Sequence, residues 1–306
     1  MPFDTRRGIA SRRHLVSLAT SLLLVVGLLV AAVGPVAAAT VKRTWTAKVS
    51  TSGTAQVLGY TDGLGRFALH LGGLKANTSY PIRIVRGTCA SPGTTVFSFV
   101  ASTSTADGRI DREHGITATH MNQVWSADRT GSGRIAIRVG SGSLTKCGNL
   151  RYPVATRISF PYKSINIAVI RQNSGSFPYC GVAMYLGTFG QPREPWATMI
   201  YAHARTGMFL PLLTASKINN GAAMIGKSVR VYTSDSKVYV YRVTRVIRHT
   251  LSLAPAFAVA DQQLWMQTSE GPYRTSKKLF VVAKLTGVYA TTYAASHPKP
   301  HPYTCG

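Results

Sequence analysis

Apolar and polar residues alternate along most of the chain after residue 40. Phe67, Leu69 and Leu71 form one such set, Tyr80, Ile82 and Ile84 a second, and Ile135, Ile137 and Val139 a third. Successive side chains on a strand point to opposite faces, so each set predicts a half-buried β-strand. Clusters of Gly, Ser, Thr and Asn separate the sets, with turn signals at Asp62-Gly63, Gly72-Gly73, Asp107-Gly108 and Gly140-Ser141-Gly142. Residues 41–150 are therefore expected to form a β-sandwich of roughly seven or eight strands.

Gly148-Asn149 and Pro153 interrupt this pattern and place a boundary near residues 149–154. Beyond it, residues 165–170 predict a strand. Residues 229–233 and 238–243 predict a hairpin turning at Ser234-Asp235-Ser236. Residues 279–283 are continuously apolar, as expected of a strand buried on both faces. Short helices fit at 208–217 and after Leu253. The fold class expected is all-β: a sandwich at 41–150, then a barrel-like domain with short helices at 151–293. The tail, 294–306, carries Pro298, Pro300 and Pro302. Proline fixes φ and donates no backbone hydrogen bond, so this segment is expected to run as an extended strap.

The first 39 residues stand apart. Arg6, Arg7, Arg12 and Arg13 precede an apolar run over 15–33, which Pro35 ends before Ala37-Ala38-Ala39. A basic head, an apolar middle and a small-residue end read as a secretory signal. Ser11-Arg12-Arg13-His14-Leu15-Val16 also fits a twin-arginine signal loosely. An uncleaved membrane anchor is the competing reading, because the run is near spanning length. Either puts the remainder outside the cytoplasm, in the extracellular space or cell envelope.

The cysteines suit that compartment. Cys89, Cys147, Cys180 and Cys305 are the full set of 4 and include no C-x-x-C pair, so disulfides are favoured over a zinc site. Three pairings are open; keeping each bridge within one domain favours Cys89–Cys147 and Cys180–Cys305. Lys and Arg number 35 against 10 acidic residues, and without residues 1–39 the balance is 31 against 9, or +22. Such a charge suits an anionic cell-wall polymer or a membrane surface. Export argues against nucleic acid. So does the scatter of charges such as Arg242, Arg245 and Arg248, which form no basic run with interleaved aromatics. No glycine-rich phosphate loop is present and no cofactor is called for. Asp111, Glu113, His114 and His120 lack the spacing of a known metal site, so no metal is expected.

Two segments carry candidate chemistry. One is Tyr201-Ala202-His203-Ala204-Arg205, closing an apolar run. The other is Gln267-Thr268-Ser269-Glu270, followed by Lys277-Lys278-Leu279-Phe280-Val281-Val282-Ala283. Over about residues 155–288 the order of features resembles a sortase, a bacterial surface transpeptidase. Arg157-Ile158-Ser159-Phe160-Pro161 and Ile165-Asn166-Ile167 resemble its opening strands. Met199-Ile200-Tyr201-Ala202-His203 and Met208-Phe209-Leu210-Pro211-Leu212-Leu213 resemble its histidine strand and the small helix behind it. Ile225-Gly226-Lys227-Ser228-Val229-Arg230-Val231 and Tyr239-Val240-Tyr241-Arg242-Val243 resemble its central hairpin. Gln267-Thr268-Ser269 resembles its Leu-x-Thr-Cys strand end, and Lys278-Leu279-Phe280-Val281-Val282-Ala283 its Arg-Leu-Val-Val-x-Ala strand.

The resemblance implies a closed β-barrel and places His203 as the catalytic histidine, Ser269 at the nucleophile position and Lys278 at the arginine position. Thr268 would support the turn before the nucleophile, and Lys277 and Arg274 are rivals of Lys278 as the substrate-facing cation. Serine in place of cysteine matters chemically. A thiol ionises near neutral pH beside a cation, whereas a hydroxyl needs a well-oriented base. Glu194, Asp261 and Glu270 are the carboxylates available to orient one. The function expected is an exported sortase-like protein acting on or binding peptide segments of surface proteins or wall precursors. Its chemistry, if active, is that of a transpeptidase or hydrolase. A non-catalytic binding module or structural wall-associated protein is the alternative; a relocated nucleophile at Cys180 and an unrelated exported β protein are further readings.

Overall fold

The computed structural model describes residues 39–128, 132–172, 178–271 and 277–305. The stretch read as a signal or anchor lies outside them, as does Arg274. Residues Thr40–Gly306 pack as one compact unit. Among the described residues no helix is long and apolar enough to cross a membrane.

Strands β1 (Val41–Lys48), β2 (Gly53–Tyr60), β3 (Gly65–Leu71) and β6 (Ile110–Ile116) form one antiparallel sheet, in that order. A second sheet orders β5 (Pro92–Thr103), β4 (Ser79–Gly87), β7 (Ile135–Val139) and β8 (Lys146–Leu150). The alternating positions face one shared core: Phe67, Leu69, Ile82, Ile84, Ile135, Ile137 and Val139 are fully buried there with Trp45. Cys89–Cys147 closes the second sheet's rim. The helix α1 (Ala118–Asp128) was not expected from the sequence. It buries Met121, Val124 and Ala127 in the core, with Trp125 packed against it, and its first turn carries no acidic residue. Its start is marked by Thr117, whose Oγ1 accepts from the His120 N–H at 3.4 Å.

After Pro153 the chain changes architecture. Strands β9 (Ala155–Phe160), β10 (Ile165–Arg171), β11 (Ala183–Tyr185), β12 (Ala197–Tyr201), β13 (Ser228–Thr233), β14 (Lys237–Thr250), β15 (Gln263–Ser269) and β16 (Lys278–Ala290) close a barrel. Its order is β10-β11-β12-β15-β16-β14-β13-β9. Helix α2 (Leu210–Ser216) packs Leu212 and Leu213 into the barrel core, and α3 (Ala254–Phe257) covers part of the outside. The continuous apolar run of β16 has two destinations. Leu279, Val281 and Ala283 point inward, while Phe280 and Val282 join Met199, Trp265 and Ala256 on the outer face. The tail forms a short helix, α4 (Tyr293–Ser296), and then an extended strap. Its end pairs Tyr303 with Cys180 through both backbone hydrogen bonds and closes the Cys180–Cys305 bridge. Gly181, at φ 76°, must lack a Cβ here, because one would sit 2.4 Å from the His301 carbonyl oxygen.

One buried ion cluster joins sandwich to barrel. Arg43 of β1 donates from Nε and Nη2 to the two oxygens of Glu194, at 2.5 and 2.9 Å. Glu194 also accepts from the Gln191 N–H and the Trp196 indole, each at 2.9 Å. Asp128, at the end of α1, takes the Trp45 indole at 2.9 Å and a longer contact to Arg43 at 3.4 Å. The guanidinium lies over the Tyr152 ring, 4.0 Å from its centroid. Two carboxylates thus share one buried cation, and Glu194 occupies its fork. Burial pushes the Asp128 carboxyl up to about 7, against the opposing pull of Trp45 and Arg43.

Removing Arg43 would strand Glu194 as a buried, unpaired charge, so Arg43→Ala should cost about 3–5 kcal/mol in denaturant unfolding. A loss under about 1 kcal/mol would show that the fork is not structural. Asp128 carries its own pH signature. A carboxyl whose folded pKa lies above its unfolded value loses stability as pH rises between the two. Relative to Asp128→Asn, the wild type should therefore lose up to about 4 kcal/mol from about pH 4 to about pH 7 and then level off. A gap independent of pH would remove this reading.

Candidate active site

Three neighbouring strands of the barrel carry the candidate residues at one end. β12 and β15 run parallel, with Ala197 opposite Gln263 and Tyr201 opposite Gln267. The Ala202 N–H continues this pattern by donating to the Gln267 carbonyl at 3.1 Å. His203 and Ser269 each lie two residues beyond the last pair. β15 and β16 run antiparallel, and their final pair is Ser269 with Lys278. Residues two apart share a face. Met199, Trp265 and Phe280 occupy the outer cluster, which puts His203, Ser269 and Lys278 on the outer face as well.

Lys278 Nζ lies 3.0 Å from Ser269 Oγ. Partial burial holds the lysine ammonium below its usual range. His203 Nε2 lies 2.6 Å from the Pro178 carbonyl oxygen. A carbonyl can only accept, so Nε2 carries the proton in this contact. A ring nitrogen of His203 is also within 4.8 Å of both sulfurs of the Cys180–Cys305 bridge. The three together could suggest a metal set, but the sulfurs are bonded to each other and offer no thiolate. The same bond overturns Cys180 as a relocated nucleophile: it is 1% exposed and holds no free thiol.

The candidate orienting carboxylates are engaged elsewhere. Glu194 is held by Arg43, and Asp261 contacts Gln263 at 2.7 Å and Lys284 at 3.4 Å. Glu270, next to Ser269, is bound by Arg248 Nε at 3.1 Å, His249 Nδ1 at 2.6 Å and the His249 N–H at 2.9 Å. The register irregularity between Ile247 and Thr250, with His249 at φ 59°, lets both residues reach it. This pins the end of β15 to β14 and fixes where Ser269 stands. The sequence holds no cue to it, since Arg248 and Glu270 are 22 positions apart on strands that do not pair directly. Among the described residues, no carboxylate contacts His203, and no hydrogen bond joins His203 to Ser269.

The remaining candidates are placed as follows. Thr268 is 2% exposed, on the inward face with Leu264 and Met266, and its Oγ1 has no hydrogen-bond partner. It lies within β15, directly before Ser269. Lys277 precedes β16 with an exposed side chain, and its carbonyl accepts from the Glu270 N–H at 3.1 Å. Asp111, Glu113, His114 and His120 do not converge. Asp111 pairs with His70 and Glu113 with Arg66, while His114 and His120 stack on Phe99 and Phe97. A depression of about 1150 Å³ lies on the first sheet around Thr46, Gln56, His70 and Asp111, with no barrel residue in its lining.

A thiol at position 269 would sit against the same amine. Ser269→Cys should therefore titrate below the ordinary thiol value near 8.5, read from the pH dependence of alkylation. A pKa at or above that value would show that the cation does not reach the position.

No protein-family model matches this chain, and no curated protein matches it. Matches appear among solved structures. The Group B Streptococcus pilus island 1 sortase C2 is 16% identical, with 43% of this chain and 73% of that chain covered and a TM-score of 0.36. Streptococcus pneumoniae sortase C is 18% identical, with 45% and 70% covered and a TM-score of 0.36. SrtA sortase from Actinomyces oris is 14% identical, with 44% and 81% covered and a TM-score of 0.36. All three of these solved structures are sortases.

Proposed function

We propose that this protein is an exported, sortase-like protein of a bacterial cell envelope that acts on peptide segments of surface proteins or wall precursors. The observation that carries the reading is the contact of Ser269 with Lys278 at the paired ends of β15 and β16, with His203 two residues past the end of the neighbouring β12. An acyl-transfer site needs a nucleophile with a proton-handling group against it, held on a rigid scaffold. Ser269 supplies the nucleophile, and the Glu270 clamp supplies the rigidity. The reaction is acyl transfer to an amine, or peptide hydrolysis where water takes the amine's place. Two disulfides and the basic, apolar, small-residue order of residues 1–39 support an exported location. The excess of cations suits a position against anionic wall polymer or membrane surface.

A second reading, a peptide-binding module without turnover, is favoured by the commitment of His203 Nε2 to Pro178 and by the absence of a carboxylate on that ring among the described residues. One experiment separates the two. Purified protein is incubated with a library of envelope-protein peptides and an amine, and the products are followed by mass spectrometry. Turnover that falls at least about 100-fold in Ser269→Ala supports the enzyme. Binding without turnover in both proteins supports the module, and neither binding nor turnover removes the proposal.

A further inference from the structure

Among the described residues, the side chain in hydrogen-bond contact with Ser269 Oγ is that of Lys278 and not the histidine. Lys278 Nζ is 3.0 Å from Oγ, whereas the Nε2–H of His203 is directed to the Pro178 carbonyl. The lysine is placed by the final register pair of β15 and β16, so the contact is set by two paired backbones and not by a loop. Its stem continues the outer face on which Phe280 and Val282 are buried, which draws the amine partly out of water. Desolvation disfavours the charged form of an amine and so moves lysine toward the neutral state in which it can accept a proton. Arg248 and His249 stand on the adjoining strand, and both are turned onto Glu270, whose carboxylate offsets the guanidinium charge.

Resting on the function proposed above, we infer that Ser269 and Lys278 form a serine–lysine dyad in which Lys278 is the general base and His203 is not. In the first half-reaction the neutral amine of Lys278 takes the Oγ proton as Oγ bonds to the substrate carbonyl carbon. The resulting ammonium then gives that proton to the departing nitrogen as the C–N bond breaks. The products are an ester on Ser269 and a free amine. In the second half-reaction an incoming amine or water loses a proton to Lys278 as it bonds to the ester carbon. Oγ leaves and recovers the proton. Atoms, charge and protons balance with no further reactant. Arginine could not perform either transfer, because it does not deprotonate in proteins. A lysine beside a serine is in this sense a chemically matched pair.

The test uses an alkyl fluorophosphonate, which phosphonylates a nucleophilic serine oxygen, on the full chain from pH 6 to 10, with intact mass as the readout and Ser269→Ala as the site control. The dyad predicts labelling that rises through an apparent pKa below the ordinary lysine value near 10.4. Lys278→Met and Lys278→Arg should both lose about 100-fold or more, the usual contribution of a general base, and His203→Asn should lose less than either. Lys278→Arg keeps length and charge, so the test survives if the methionine variant folds poorly. Labelling of Lys278→Arg at the wild-type rate overturns the dyad and leaves the cation as an oxyanion holder. A loss in His203→Asn as large as in Lys278→Met transfers the base role to the histidine. In both outcomes the acyl-transfer reading stands. A wild type that is inert across the whole range removes that reading, and the dyad with it.

Discussion

The fork between Arg43 and Glu194 is the constraint through which the two halves of the chain become one structure. It is costly to form, since both charges leave water, and it holds because Glu194 accepts from Gln191, Trp196 and Arg43 at once. Its position matters as much as its strength. Glu194 lies three residues before β12, the strand that leads into His203. Gly190 lies against Trp196 so closely that a Cβ would stand 2.4 Å from the indole. Gln191 reaches back to the Ala155 N–H at 2.9 Å, where the barrel begins. The sandwich therefore fixes the segment that feeds the histidine strand.

From that anchor the barrel builds its candidate site by register alone. A parallel pairing aligns β12 with β15, and an antiparallel pairing aligns β15 with β16, so three strand ends present residues 203, 269 and 278 in one row. The two faces of these strands do separate tasks. Inward residues such as Leu264, Met266 and Val281 fill the barrel, while Trp265 and Phe280 seal the outer layer beneath the site. The Glu270 clamp then removes slack at the one strand end where the hydroxyl sits. What is unusual is the pairing of polar groups on this frame. The amine addresses the serine, and the imidazole addresses a backbone carbonyl.

Much of this was legible in the sequence because it is local. Alternation at Phe67, Leu69 and Leu71 reports burial directly, and all three are buried. The hairpin at Ser234-Asp235-Ser236 and the apolar run at 279–283 are equally local signals. The resemblance supplied the barrel and the neighbourhood of residues 203, 269 and 278. Helix α1 was missed because its buried residues, Met121, Val124, Ala127 and Asp128, are few, and it is embedded among strands. The Arg43–Glu194 fork was illegible for a different reason. Its partners are 151 positions apart, and each read alone is an ordinary surface charge. The partners of His203 were hidden in the same way, since Pro178 offers only its backbone oxygen and no residue type announces that.

The clasp between Cys180 and Cys305 sets an order of events. It gathers the final turn of the strap, the Pro178–Cys180 segment and the His203 ring into one small neighbourhood. A polypeptide emerges from its N-terminus onward, so the barrel strands are all available before the strap is. The surroundings of the imidazole can be completed only after residue 305 has been made and the two thiols have met an oxidant. Maturation of this corner is consequently coupled to an oxidation that comes last.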